Sequence, residues 1–404
     1  MDAHLAFTFA KGRRLHLGVC GSVAAYRAPD LVRQWQDAGL SVGVTLTEAA
    51  KRFITPLTFE ALGAAPVYGD IFDGGDGPFG HLEPGQCCHT FVIAPASAAT
   101  LARLATGMAD DMLACQALAF DGPLVVAPAM NPRMWAHPAT RANIETLRQR
   151  GVTVVEPGCG RTACMEEGQG RLADLRAIHL AALRALAPQD MSGTRVMVTL
   201  GPTREKWDGV RYWTNPSSGV MGASLAMAAW LRGARVDAVC GPGAPWLPSD
   251  IVRHDVGSAD EMFEVAHDLW PDVDTGIFTA AVADFKPVPY GAEKFKKADA
   301  ADGFDIRFAP NRDIIATLGA LRKPGQRVVG FAAETSNLIE AMRGKLKRKN
   351  ADMIVGNLVG SSDAGFGAAT NRVRILDATG RDEELPLLSK PDVAWSILEW
   401  LRSL

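Results

Sequence analysis

Residues 124–138, LVVAPAMNPRMWAHP, place an amide and a thioether where open α/β sheets bind ligands. The apolar run Leu124–Ala127 reads as a buried strand that ends at Pro128. A second proline, Pro132, is expected to keep the next residues out of a helix, leaving Asn131 and Met134 on a rigid loop. Asn131 can donate and accept at once, which suits a substrate carboxylate or a flavin edge. Further along, EPGCGRTACMEEGQGRLA (156–173) has no period and many glycines, and reads as a flexible flap with the thiol of Cys164 near its centre. The turn Gly21–Ser22 follows a strand and opens a helix, an arrangement that offers backbone N–H groups to a phosphate. Ser217, Ser218 and Gly219 repeat it in the second half. There, Asp284 in AAVADFKP suits a metal or a ribose hydroxyl. The basic groups Lys294, Lys296, Lys297 and Lys345, Lys347, Arg348, Lys349 suit a polyphosphate. One such cluster is ordinarily a solvated face; here two flank nucleotide-type loops.

The elements that must hold these groups alternate. Strands are expected at Leu15–Val19, Ser41–Leu46, Phe91–Ala94, Leu124–Ala127 and Val152–Val155, with helices between them, one of them Val23–Asp37. Thr47 should cap a helix carrying Phe53, and Pro95-Ala96-Ser97 should lead into a helix near Ala98. After Leu172–Ala187, an alanine- and leucine-rich helix, the segment 188–194 has the character of a joint. The pattern restarts at Arg195 and runs through strands near 236–240, 276–279, 328–331 and 353–355 to a terminal helix. The fold class is therefore α/β, with two doubly wound parallel sheets.

Composition narrows the function. The chain has 404 residues, a formal charge of -3 and 22% charged residues, which gives no electrostatic footprint for nucleic acid. No run approaches a membrane span, and the apolar start Leu5–Ala10 is too short for a signal core. The 7 scattered cysteines suit reduced thiols and a cytoplasmic enzyme. Cys87, Cys88 and His89 lack a second ligand pair at zinc spacing, so no metal is expected there.

The first half resembles the flavoprotein cysteine decarboxylases through GVCGSVAAYRAPDLV, LTEAAKRFITPLTFEAL, GHLE, APASA, PAMNPRMW and ACMEEGQGRL. The second half resembles phosphopantothenoylcysteine synthetases through GPTREKWDGVRYWTNPSSGVMG, TAAVADFKP, EKFKK, GFAAET and DAGFGAATNRV. In this order the two are similar to the bacterial bifunctional coenzyme A biosynthesis family. The resemblance implies an N-terminal flavodoxin-like flavoprotein decarboxylase domain (1–190) and a C-terminal nucleotide-binding ligase domain (191–404), both Rossmann-like. It implies that CTP, with Mg²⁺, activates 4′-phosphopantothenate as an acyl-cytidylate that cysteine attacks. FMN then serves oxidative decarboxylation and re-reduction to 4′-phosphopantetheine. Homo-oligomers are implied too, with decarboxylase trimers and ligase dimers.

Residue roles follow by matching position. His81 corresponds to the family's catalytic histidine, Asn131 to the group that binds the substrate carboxylate, and Cys164 to the proton donor. Gly21, Ser22, Thr47, Pro95, Ala96, Ser97 and Met134 would hold FMN. Asn215 matches the residue linked to the acyl-cytidylate and Lys294 the lysine that steadies its charge. Asp284, Arg312, Asp313, Ile314, Ile315, Phe331, Lys345 and Lys349 match CTP contacts. No metal ligand is assigned.

Several positions depart from the family pattern: Ala99, Met165 after the flap thiol, Val220 where the phosphate loop has a lysine, Leu358 and Ala369. The ligase departures motivate an alternative, a flavin decarboxylase with a weak or inactive ligase domain. A nicotinamide dehydrogenase is disfavoured because neither half has G-x-G-x-x-G after its first strand. A non-catalytic flavoprotein is disfavoured by His81, Asn131 and Cys164 occurring together.

Overall fold

A computed structural model describes residues 2–71, 79–296, 303–334, 336–358 and 370–404. Lys297, Ala369 and the side chain of Leu358 lie outside the described residues. The chain divides into two compact units, 10–187 and 188–404, the second of which also takes in residues 1–9.

In the first unit the strands Val67–Tyr68, Ser41–Leu46, Arg14–Val19, Thr90–Ala96, Leu124–Pro128 and Thr153–Val154 lie side by side in that order, all parallel. Counted along the chain this is 3-2-1-4-5-6, a doubly wound Rossmann-type order. The central strands read as near-continuous apolar runs because helices cover both faces; Thr90–Ala96 is buried throughout. Its core packs Phe91, Ile93 and Val126 against Leu101, Trp135, Ile144 and Leu147.

Three local expectations are corrected here. Pro132 does not exclude a helix; it starts one, Pro132–Ala136, at the first-turn position where its missing N–H costs nothing. Met134 therefore sits on a helix, with Asn131 as its N-cap. Thr47 caps only the single turn Glu48–Lys51, which ends before Phe53. The stretch after Val23 begins as a 3-10 turn, Val23–Arg27, before the α-helix Ala28–Asp37.

In the second unit one sheet runs Val252–Asp255, Arg235–Cys240, Arg195–Leu200, Thr275–Phe278, Arg327–Glu334, Met353–Leu358, Arg374–Asp377, Asp382–Glu384. The first six strands are parallel; Arg374–Asp377 runs antiparallel to them, and Asp382–Glu384 antiparallel to it in turn. Helix Val220–Leu231 is buried at every residue from Gly222 to Leu231. It is apolar all round because the sheet covers one side and two further elements cover others, the N-terminal arm and helix Lys390–Arg402. That arm, residues 2–9, buries Leu5 and Phe7, and Phe9 stacks on Trp395 at 4.0 Å. The apolar start thus serves as packing for the second unit.

Candidate functional site

In the first unit the phosphate-type loops gather at the carboxyl edge of the sheet. Ser22, Thr47 and Ser97 follow three adjacent strands, and each accepts a hydrogen bond from a backbone N–H of the helical turn it caps (Ala24, Ala50 and Thr100). Gly21 must be glycine, since a Cβ there would lie 2.4 Å from that of Ala49. Pro95 and Ala96 end strand Thr90–Ala96 and lead into Ser97. This edge offers helix N-termini and small residues, a cradle that fits a phosphate-bearing flavin.

A cavity of about 630 Å³ next to it is lined by Ser22, Asn131 and Cys164 among the expected residues. The Asn131 Oδ1 accepts from Arg133 N at 2.8 Å, which leaves the amide nitrogen to face the cavity. That nitrogen donates to the Cys164 sulfur and to Glu166 Oε2, both at 3.0 Å. Thr162 Oγ1 stands 3.1 Å from the same sulfur. Hydrogen bonding by Thr162 first, then by the Glu166 backbone and Asn131, holds the exposed Cys164 thiol below its ordinary range. Arg27, Arg161 and Arg171 also line this cavity and were not singled out from the sequence. Their only signal was two arginines alternating with the glycines of 156–173. His81 lies in the turn before helix Glu83–Cys87 and does not line this cavity; neither does Met134, which is exposed.

The expected flexible flap is an ordered antiparallel hairpin, Gly158–Arg161 with Glu167–Arg171. Its glycines serve close approach. A Cβ on Gly170 would meet Met130 O at 2.4 Å, and one on Gly168 would meet Pro132 Cβ at 2.9 Å. The hairpin backbone is tied to the asparagine loop by Met130 N donating to Gly170 O at 2.9 Å. At the hairpin tip Met165 has φ 68, a left-handed conformation that a Cβ disfavours. Met165→Gly should therefore raise stability by about 1 kcal/mol, less what glycine's unfolded-chain entropy takes back. Chemical denaturation of the flavin-bound protein reads this, and a clear loss of stability would contradict it.

The second unit has a cavity of about 500 Å³, and here the expected residues converge. Asn215, Asp284, Arg312, Asp313, Ile314, Ile315, Phe331, Lys345 and Lys349 all line it. Asn215 Nδ2 faces two carbonyls, Ala281 O at 3.5 Å and Val282 O at 3.3 Å. Asp313 caps helix Ile314–Ala320 and pairs with Lys349, while Lys345 pairs with Glu334 Oε1 at 2.8 Å. Arg312 lies over the Phe263 ring at 4.2 Å. Asn311 was missed by sequence reasoning. Its amide nitrogen donates to Ala283 O at 2.8 Å, while its buried Oδ1 has no partner among the described residues. Lys294 does not line this cavity. The segment that carries it is anchored by buried Asp208, whose Oδ2 accepts from Phe295 N at 3.1 Å and from Arg211 Nη1 at 3.0 Å. Gly219 opens helix Val220–Leu231 in a left-handed conformation (φ 69), and its N–H donates to Ser217 Oγ at 3.3 Å. Among the described residues no helix is long and apolar enough to cross a membrane.

Comparison with known proteins gives a match along nearly the whole chain. The family described as "Flavoprotein" matches residues 8–185. The family described as "DNA/pantothenate metabolism flavoprotein C-terminal domain" matches residues 191–404. The protein from Vibrio vulnificus (strain CMCP6) called "Coenzyme A biosynthesis bifunctional protein CoaBC" is 38% identical over 97% of this chain and 98% of its own length. Proteins of the same name from Bacillus subtilis (strain 168) and Escherichia coli (strain K12) are each 40% identical. The first match covers 97% of both chains and the second 94% of both.

Proposed function

The chain belongs to the family of bifunctional coenzyme A biosynthesis proteins, and from that premise we propose how its residues divide the work. It is a flavin-dependent decarboxylase and a phosphopantothenate–cysteine ligase. The reading of a decarboxylase with a failing ligase is not favoured. The cavity of the second unit is lined by Asn215, Asp284, Arg312, Asp313, Lys345 and Lys349 in spite of Val220.

In the ligase unit the substrates are CTP, 4′-phosphopantothenate and cysteine. Arg312, Lys345 and Lys349 meet the triphosphate, exchanging their present carboxylate or aromatic contacts for phosphate oxygens. Asp284, exposed at the cavity, is the oxygen donor that a Mg²⁺ ion on the nucleotide would take, and the ion would supply charge neutralisation. Asn215 donates to the acyl-cytidylate as its charge develops, and Lys294 adds a cation from its anchored segment. The observation that carries this reading is the gathering of nine expected residues, from five separate stretches of sequence, around one cavity.

In the first unit the cofactor is FMN, which supplies two-electron oxidation of the cysteinyl thiol and returns the electrons. Gly21, Ser22, Thr47 and the Pro95–Ser97 loop hold its phosphate and ring. Asn131 orients the substrate carboxylate, His81 handles the proton lost on oxidation, and Cys164 protonates the enethiol left by loss of CO₂. The small-molecule partners, cytoplasmic location and assembly from decarboxylase trimers and ligase dimers belong to the same proposal.

The test is a single incubation of the full-length chain with CTP, Mg²⁺, 4′-phosphopantothenate and cysteine, with products identified by mass. 4′-Phosphopantetheine together with pyrophosphate is the expected result. Decarboxylation of supplied phosphopantothenoylcysteine without pyrophosphate release in the full mixture would remove the ligase half of the proposal.

A further inference from the structure

At the opposite edge of the first sheet from the cofactor loops, near its amino end, three ligand-type side chains face one another. His16 from strand Arg14–Val19 is fully buried. Glu83 and Cys88 stand at the two ends of helix Glu83–Cys87, and the three offer ligand atoms that all lie within 4.8 Å of one another. The cluster is not the adjacent trio of the sequence: His89 is excluded because its Nδ1 accepts the backbone N–H of Arg14 at 3.2 Å.

The hydrogen bonds settle which His16 nitrogen is free. Gln116 Nε2 donates to Gly80 O at 3.0 Å, so Gln116 Oε1 must be the acceptor for Thr45 Oγ1 at 2.6 Å. That bond uses the single hydroxyl proton of Thr45. Thr45 can only accept from His16, so Nε2 carries the proton across their 2.7 Å contact. Nδ1 is left with a bare lone pair, fully buried and without a partner among the described residues, and Glu83 Oε2 is likewise buried and unpartnered among them. A metal-bound imidazole has this same arrangement, with its other ring N–H donated to a fixed acceptor. The thiol pair fits as well. Cys87 and Cys88 hold their sulfurs 3.8 Å apart, close to the edge of a tetrahedron with Zn–S bonds of about 2.3 Å. Cys87 Sγ also reaches Glu83 Oε1, at 2.9 Å; that oxygen is paired with Arg14 Nη2 at 2.6 Å, which leaves Oε2 for the ion.

We propose that His16, Glu83 and Cys88, with Cys87 within reach of the fourth position, form a binding site for a zinc-class divalent ion. One imidazole, one carboxylate and thiolates select a borderline-soft ion over Mg²⁺ or Ca²⁺. The role is positional. The ion would fasten the helix that follows His81 to the sheet, and the chain of bonds from His16 through Thr45 and Gln116 ends on Gly80, the residue before His81.

The experiment uses the untagged, flavin-loaded full-length chain, stripped with a chelator and then equilibrated with zinc alone. Metal is counted per chain by mass spectrometry, and cysteine alkylation is mapped on peptides with and without zinc. One zinc per chain is expected, with Cys87 and Cys88 protected at least about tenfold, and Cys88→Ser and His16→Gln each weakening retention by at least about tenfold. Cys115→Ser should leave retention unchanged. Retained flavin absorbance establishes that each variant is folded. Zinc retained equally by the wild type, Cys88→Ser and His16→Gln would overturn the site, as would no zinc in the wild type. A peptide mass showing Cys87 and Cys88 joined to each other in the chain as isolated would overturn it too.

Discussion

Asn215→Asp should abolish amide formation, by a factor of at least about a hundred, and leave decarboxylation of supplied phosphopantothenoylcysteine unchanged. The amide nitrogen of Asn215 faces the carbonyls of Ala281 and Val282, so a carboxylate there meets two acceptors and has nothing to donate. It also places a negative charge in a cavity whose Arg312, Lys345 and Lys349 suit an anion. At about 5 Å and an effective dielectric near 20, like charges repel by about 3 kcal/mol, a factor of more than a hundred. Loss of an oxyanion-type donor adds a similar amount. Cys164 and Asn131 lie in the other compact unit, which has its own core. Pyrophosphate release and CO₂ release, assayed separately on the same preparation, read the two halves. A parallel fall in both would contradict the division of labour.

What the sequence made legible, and what it hid, follows from the range of the interactions. The alternating apolar runs and their turn residues are local, so the parallel strands of both units and the loops at their carboxyl ends could be placed in advance. The lining of the second unit's cavity was legible for the same reason: Asn215, Asp284, the Arg312–Ile315 turn and the Lys345–Lys349 helix end all lie beside strands of one sheet. Hairpin 158–171 was not legible. Its glycines look like freedom in one dimension, yet Gly168 and Gly170 are occupied by the approach of Pro132 and Met130. Pro132 shows the opposite ambiguity, because a residue that breaks a helix interior is at home in its first turn. The N-terminal arm was hidden by distance along the chain, since Thr8 bonds Asp392 across 384 positions. So was the His16 cluster, whose Glu83 and Cys88 come from a helix far along the sequence. Burial first, and then the charge of Arg14, push the His16 imidazole down to about 3, and the burial comes from packing distant in sequence.

Cys164→Ser should stall the first unit after loss of CO₂, with the enethiol accumulating and 4′-phosphopantetheine formation slowed by about 10²–10⁴-fold. The serine preserves the size of the side chain and its contacts with Asn131 and Thr162, so substrate binding and oxidation persist. What is lost is the acid, because a hydroxyl gives up its proton far less readily than a thiol. The pH dependence carries the same signature. The thiol must be protonated to act, so re-reduction falls as pH rises through the Cys164 pKa. That value is held below the ordinary thiol range, first by the Thr162 hydrogen bond. The alkaline limb of the wild-type profile should therefore begin earlier than a free cysteine would give, and Thr162→Val should move it to higher pH. In Cys164→Ser this limb should disappear while the residual rate stays flat. Stopped-flow flavin absorbance separates the oxidation, expected to survive, from the return of electrons, expected to fail. Full product formation by Cys164→Ser, or an alkaline limb unmoved in Thr162→Val, would assign the proton to another group.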